Sequence, residues 1–254
     1  MPTPKTKHPK LNLDLHSLPG PHNITRRVLP NGMVVLVREN HTSPSVVLEG
    51  DLRVGALWEP RAKAGLADFT ASALMRGTER HTFTEIYEQI ESAGASLGIS
   101  GGTHTSGFNG KGLAEDLGLL LEMAADALRR PVFPEEQVER LRGEILTHLA
   151  IRDNNTRARA SEAFYELAYP DHPYRIEEEG YPDTIRAITR DDLINFHRQH
   201  FGPRGMIVTI VGAVRAAEAV ALVEKCFGDW ANPEQPPEPE LPPLTPSAGV
   251  QVRR

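Results

Sequence analysis

Ten histidines and a single cysteine supply the imidazole and thiol groups of this 254-residue chain. His197 and His200 stand at i and i+3 in DDLINFHRQHF, a spacing that turns two imidazoles toward one side of a helix. Two donors are only half of a closed zinc site, so the pair is read as solvent-facing. His8, His16, His22, His41, His81 and His104 have no ligand spacing with one another. Cys226, alone, excludes an internal disulfide and a cysteine-built metal site, and fits a reducing compartment. Thr103, His104 and Ser106 are not spaced as a nucleophile triad, and neither a G-x-S-x-G elbow nor a P-loop is present.

Any site must be carried by the elements that the periodicity predicts. RRVLPNGMVVLVREN reads as a hairpin, with Pro30-Asn31-Gly32 as its turn, and SVVLEGDLRVGALWE as a further strand. Residues 63–76 switch to a helical pattern in which Leu66, Phe69, Ala73 and Leu74 share a face. Thr82 or Thr84 caps a helix that stops at Gly94, and the Gly-, Ser- and Thr-rich stretch after it reads as paired strands. Helices follow over EDLGLLLEMAADALRR, PEEQVERLRGEILTHLAIRDN and ARASEAFYELAY. Thr189 caps another with Asp192 at N3, GMIVTIVGAV is a buried strand, and EAVALVEKCFGDW is the last helix. This order predicts an α+β fold, a mainly antiparallel sheet with helices packed on one face.

Residues 1–23 read as an extended lead-in, 24–231 as the folded domain, and 232–254 as a Pro-rich, semi-rigid linker toward a second domain. The net charge of -6 gives no basic footprint for nucleic acid. No run approaches the roughly 20 apolar residues that span a bilayer, and the N-terminus has no apolar core of a signal peptide. A cytoplasmic protein without a membrane partner is the expectation.

Leu29-Pro-Asn-Gly32, Val54-Gly-Ala-Leu-Trp-Glu59 and Lys63 to Thr78 resemble the insulinase/pitrilysin peptidase family, which includes the mitochondrial processing peptidases. IESAGASLGIS, LGLLLEMAADALRRPVFPEEQVERLR and the segment from His172 to Val214 extend the likeness in order over about residues 24–230. Active members of that family carry H-x-x-E-H on one helix: two His share a zinc, the Glu is general base for its water, and a Glu farther on completes the ligands. The resemblance puts Asp68 at the first His, Ala71 at the base, Ser72 at the second His, His148 at the distal Glu and Leu141 at its supporting Glu. Every functional position is changed while the apolar frame is kept. It implies no catalytic residue, no metal ligand and no cofactor of this chain's own, zinc belonging to active relatives. Asp68 and His148 are expected to pair with each other, filling the old site.

The resemblance also implies that Gly98, Ile99, Ser100 and Gly101 form a strand bordering the substrate chamber, able to add an extended peptide by main-chain hydrogen bonds. Close backbone packing is the other reading of those glycines. His172-Pro173-Tyr174 matches a structural loop and reads as turn chemistry. The function expected is a zinc-less, inactive subunit that pairs with a zinc-bearing family subunit or a second family domain and helps hold peptide. A stand-alone peptide-binding or scaffold module, and a zinc peptidase with a non-standard ligand set, are the alternatives.

Overall fold

Val28 and Val34 face each other across the Pro30-Asn31-Gly32 turn, where Gly32 takes φ 88°, a conformation that costs a residue without Cβ little. The turn joins β1 (Thr25–Val28) to β2 (Val34–Glu39). The computed structural model describes residues 18–244. Among them β3 (Ser45–Leu52), β4 (Ser96–Ser100), β5 (Ser106–Leu113) and β6 (Ile207–Gly212) complete a six-stranded sheet in the order β1-β2-β6-β3-β5-β4. β6 lies parallel to β2 and antiparallel to β3, and every other pairing is antiparallel. A strand from late in the chain thus fills the middle of the sheet, where its Ile-Val-Thr-Ile-Val run has neighbours on both sides.

Burial alternates along the strands, so one sheet face is covered and the other is open. Val35, Val37, Val46, Leu48, Phe108, Val208 and Ile210 point into the core, while Glu49, Asp51, Asn109 and Lys111 point to solvent. On the covered face α3 (Leu117–Arg129) packs on β5 and α8 (Ala216–Phe227) on β2, each also touching the other. Gly50 permits the Phe108 ring to lie across β3, since a Cβ there would stand 2.0 Å from Phe108 Cε1.

The elements near the predicted motif are α1 (Leu66–Ala73), α4 (Glu135–Asp153) and α5 (Thr156–Ala168). α1 packs against β4, β5, α4 and α7 (Arg190–His200). α2 (Phe83–Ser92) starts at Thr82, whose hydroxyl accepts from Glu85 N while Glu85 accepts from Thr82 N, a reciprocal cap repeated by Thr189 and Asp192 at α7. α6 (Pro182–Ala187) is an additional short helix that the periodicity does not predict; Thr184 Oγ1 accepts from Tyr181 N and donates to Ala64 O.

One reading changes. His197 and His200 are not solvent-facing. His197 Nε2 lies 2.9 Å from the Leu128 carbonyl and its ring packs on Phe133 and Phe201, and burial lowers the pKa of both histidines. The Pro-rich segment is fastened at its start: Asn232 Nδ2 donates to Phe201 O, and the buried Gln235 exchanges hydrogen bonds with the Arg204 backbone. Residues 1–17 of the lead-in and 245–254 of the Pro-rich tail lie outside the described residues. No described helix is long and apolar enough to cross a membrane.

Candidate functional site

A half-buried carboxylate opens α1. Glu59 Oε1 accepts from Gly65 N at 2.8 Å and Oε2 from Ala67 N at 2.7 Å, satisfying two backbone donors at the helix start. Gly65 holds φ 93° immediately before the helix, which lets the chain turn into it. Burial pushes the Glu59 pKa up to about 7, with the Asp68 charge adding to it against the backbone hydrogen bonds.

Asp68 sits in the first turn of α1, and its Oδ1 accepts from Gly101 N at 3.2 Å. The contact is close: a Cβ on Gly101 would lie 2.6 Å from Asp68 Cα. Burial is the main cause that raises the Asp68 pKa to about 6, and the Glu179 and Glu178 charges add to it. Ala71 is fully buried and Ser72 half-buried on the same helix. On α4, Leu141 is in the core, while the His148 side chain is 63% exposed with Nδ1 3.7 Å from Glu179 Oε2. The expected pair between Asp68 and His148 is therefore not formed. Asp68 takes the Gly101 backbone and His148 takes Glu179, whose Oε2 also accepts from Arg152 Nη1 at 3.1 Å.

These residues do not suit zinc. Asp68 is engaged by a backbone N–H, Ala71 offers a methyl, Ser72 a neutral hydroxyl, and His148 turns outward. No three His, Cys, Asp or Glu side chains converge as metal ligands among the described residues.

The raised carboxyl pKa values carry a pH dependence with a definite sign. Asp68 and Glu59 bind protons more tightly folded than unfolded, so their contribution to stability is full below about pH 4 and is lost as pH rises through 6 to 7. Asp68→Asn keeps the Gly101 acceptor and removes the titration. Denaturation midpoints at pH 4.5 and 7.5 should differ less in this variant than in the native chain, by on the order of 2 kcal/mol; an equal pH slope in both would contradict the assignment.

Gly98, Ile99 and Ser100 lie on β4, which among the described residues pairs only with β5 and so presents a sheet edge. Gly101 follows the strand and belongs to the close contact with α1. Beyond it the loop is pinned by Ala56 N donating to Gly102 O and Leu57 N to Thr103 O.

The loop also forms one wall of a 490 Å³ cavity that sequence reasoning missed. Tyr165 and Tyr169 stack with centroids 5.9 Å apart, Tyr174 meets Tyr169 edge-on, and Tyr174 Oη lies 2.9 Å from His104 Nε2. Glu178 Oε2 accepts from Thr103 Oγ1 at 2.8 Å, and burial raises the pKa of Glu177. Glu162, Glu177, Glu178 and Glu179 outnumber Arg152 and Arg159 in the lining, so with the tyrosine faces the cavity favours a cation. The Glu177-Glu178-Glu179 run was the available signal. His172 is a turn residue as read, its Nδ1 accepting from Tyr174 N.

Comparison with known proteins places these features in a wider set. The family model Insulinase (Peptidase family M16) matches residues 34–178, and the model Peptidase M16 inactive domain matches residues 187–254. A probable mitochondrial-processing peptidase subunit beta of Arabidopsis thaliana is 26% identical over 220 residues, covering 87% of this chain and 41% of that protein. An uncharacterized zinc protease of Mycobacterium leprae is 27% identical over 205 residues, covering 81% and 46%. A protease structure from Helicobacter pylori superposes with TM-score 0.80 at 22% identity, over 88% of this chain and 54% of that one. A peptidase M16 inactive domain from Pseudomonas fluorescens gives TM-score 0.79 at 22% identity, over 89% and 55%. The chain spans about half the length of the curated relatives it matches.

Proposed function

This chain belongs to the insulinase peptidase family, M16, and from that premise we propose that it is a zinc-less family subunit that holds extended peptide without cleaving it. The observation that carries the reading is the donor set on α1 and α4. A carboxylate bonded to Gly101 N, a methyl, a hydroxyl and an outward imidazole replace what a hydrolytic zinc centre needs, and no ionisable group stands at position 71 to act as base.

The peptide adds to the edge of β4 as a further antiparallel or parallel strand, gaining main-chain hydrogen bonds. A lysine or arginine of that peptide reaches the tyrosine-lined cavity, where the carboxylates of Glu177 and Glu178 meet its charge. Cleavage, where it occurs, is the work of a zinc-bearing family subunit or a second family domain that pairs with this chain.

Titration calorimetry with ten-residue extended peptides carrying one arginine tests the binding step. Affinity in the range of about 10–100 μM is expected, and methylation of alternate peptide nitrogens should weaken it at least about tenfold by removing strand donors. Absence of heat with every peptide, or indifference to N-methylation, would count against the edge-strand reading.

A further inference from the structure

The chain from Pro170 to Glu179 lines a second cavity besides the tyrosine-lined one. After Ile176 it gives Glu177, Glu178 and Glu179 to the first space. Before Ile176 it gives Asp171 and Arg175 to the second, a cavity of 370 Å³ that Glu59 and Arg61 also line. Thr103 and Ile176 line both, so the two spaces share a wall.

The second cavity holds two guanidiniums without a carboxylate partner. Arg175 Nη1 donates to the Pro170 carbonyl at 2.5 Å, and Arg61 makes no side-chain hydrogen bond or ion pair among the described residues. Asp171 is exposed and pairs with neither. Glu59 has both oxygens taken by the Gly65 and Ala67 amides, and burial raises its pKa to about 7, so it is only partly charged at neutral pH. Unpaired arginine N–H groups suit a carboxylate, which a guanidinium grips through two parallel hydrogen bonds. The volume is that of an ordinary ligand pocket. The favoured charge therefore reverses across the wall of Thr103 and Ile176, from cation to anion.

We propose that the second cavity binds a carboxylate of the same peptide whose basic residue enters the first. The chain then selects peptides in which a basic group and a carboxylate stand one or two residues apart. Neighbouring residues of an extended strand, with Cα atoms about 3.8 Å apart, reach two spaces that share a wall. The carboxylate belongs to an Asp or Glu side chain or to the peptide's C-terminus. The inference rests on the peptide-holding reading, although the carboxylate site can also be probed without peptide.

Calorimetric titration of the full chain compares three ten-residue peptides, each with one arginine. One is amidated and otherwise neutral, one is amidated with Glu two residues after the arginine, and one ends in a free carboxylate two residues after it. A carboxylate peptide should bind at least about tenfold tighter than the neutral one, and the tighter of the two identifies the source. Arg61→Gln and, separately, Arg175→Gln should remove that advantage. Arg61 is exposed, so its variant keeps the fold even if the other does not. N-acetylglutamate, titrated to about 50 mM to reach weak binding, is the peptide-free probe and should shift the Nε–Hε resonances of both arginines. If the neutral peptide binds and neither carboxylate peptide binds tighter, or if the advantage survives both substitutions, the proposal falls and the peptide-holding reading stands. If no peptide binds but N-acetylglutamate moves both resonances, the peptide-holding reading falls and the carboxylate site stands. No peptide bound and no resonance moved overturns both.

Discussion

Replacing four of the five changed positions together, Asp68→His, Ala71→Glu, Ser72→His and His148→Glu, should give a chain that retains about one equivalent of zinc after dialysis. Positions 68 and 72 are one helical turn apart on α1 and project from one side of it. α1 packs directly on α4, so position 148 is carried on the neighbouring helix. The frame around them is intact: Leu66, Phe69, Ala73, Leu74 and Leu149 are all buried. The local cost is the Gly101 N–H, which loses its carboxylate acceptor, about 1 kcal/mol or somewhat more. A three-ligand site with two imidazoles offsets that many times over, and apparent zinc affinity should rise at least a thousandfold. Elemental analysis of the dialysed variant is the readout. A folded quadruple variant that still carries no zinc would mean that α1 and α4 no longer stand at the distance such a site requires.

A second large effect is expected at Gly101. Its backbone lies so close to α1 that a Cβ would stand 2.6 Å from Asp68 Cα and 3.0 Å from Asp68 N. Both are backbone atoms of a buried helix and cannot swing aside as a side-chain tip would. Gly101→Val must push the end of β4 away from α1 and break the Asp68 hydrogen bond, a loss of about 3 kcal/mol or more. For a chain of this size that is a drop of roughly 6–12 °C in melting temperature. Gly98 is the internal control. A Cβ there meets only Asn109 side-chain atoms, at 4.0 Å, so Gly98→Val should cost under about 1 kcal/mol or stabilise the strand. Equal losses at the two glycines would remove the close-approach account of Gly101.

The contrast between these two glycines shows where sequence reading reaches and where it stops. The strand over Gly98, Ile99 and Ser100 is legible from composition and from resemblance, and it proves to be an edge. That Gly101 is a contact rather than a strand residue depends on α1, 33 positions earlier in the chain, and no local pattern encodes it. The hairpin at Asn31-Gly32 and the caps at Thr82 and Thr189 were readable because their chemistry lies within four residues. α6 was missed because six residues do not establish a period. The central, parallel position of β6 was missed because register between distant strands follows from tertiary packing.

The candidate site divides in the same way. Asp68, Ala71, Ser72, Leu141 and His148 could be placed by counting along a family pattern. Their partners could not. Glu179 takes His148 and Arg152, Glu59 caps α1, and Tyr165, Tyr169 and Tyr174 come together from a helix and the irregular segment after it. Each of these contacts joins residues whose spacing carries no signal of its own. The histidines at 197 and 200 err in the other direction. A spacing that suggested two exposed rings instead places one on the Leu128 carbonyl and the other against Phe196.

The central claim is that the α1 and α4 side chains of the native chain cannot hold a catalytic metal. Elemental analysis of the native chain, after incubation with excess zinc and exhaustive dialysis, tests it most directly. The account predicts less than about 0.1 equivalent retained, since one engaged carboxylate and one exposed imidazole make no closed set. A full equivalent, released when Asp68→Ala or His148→Ala is introduced, would contradict it.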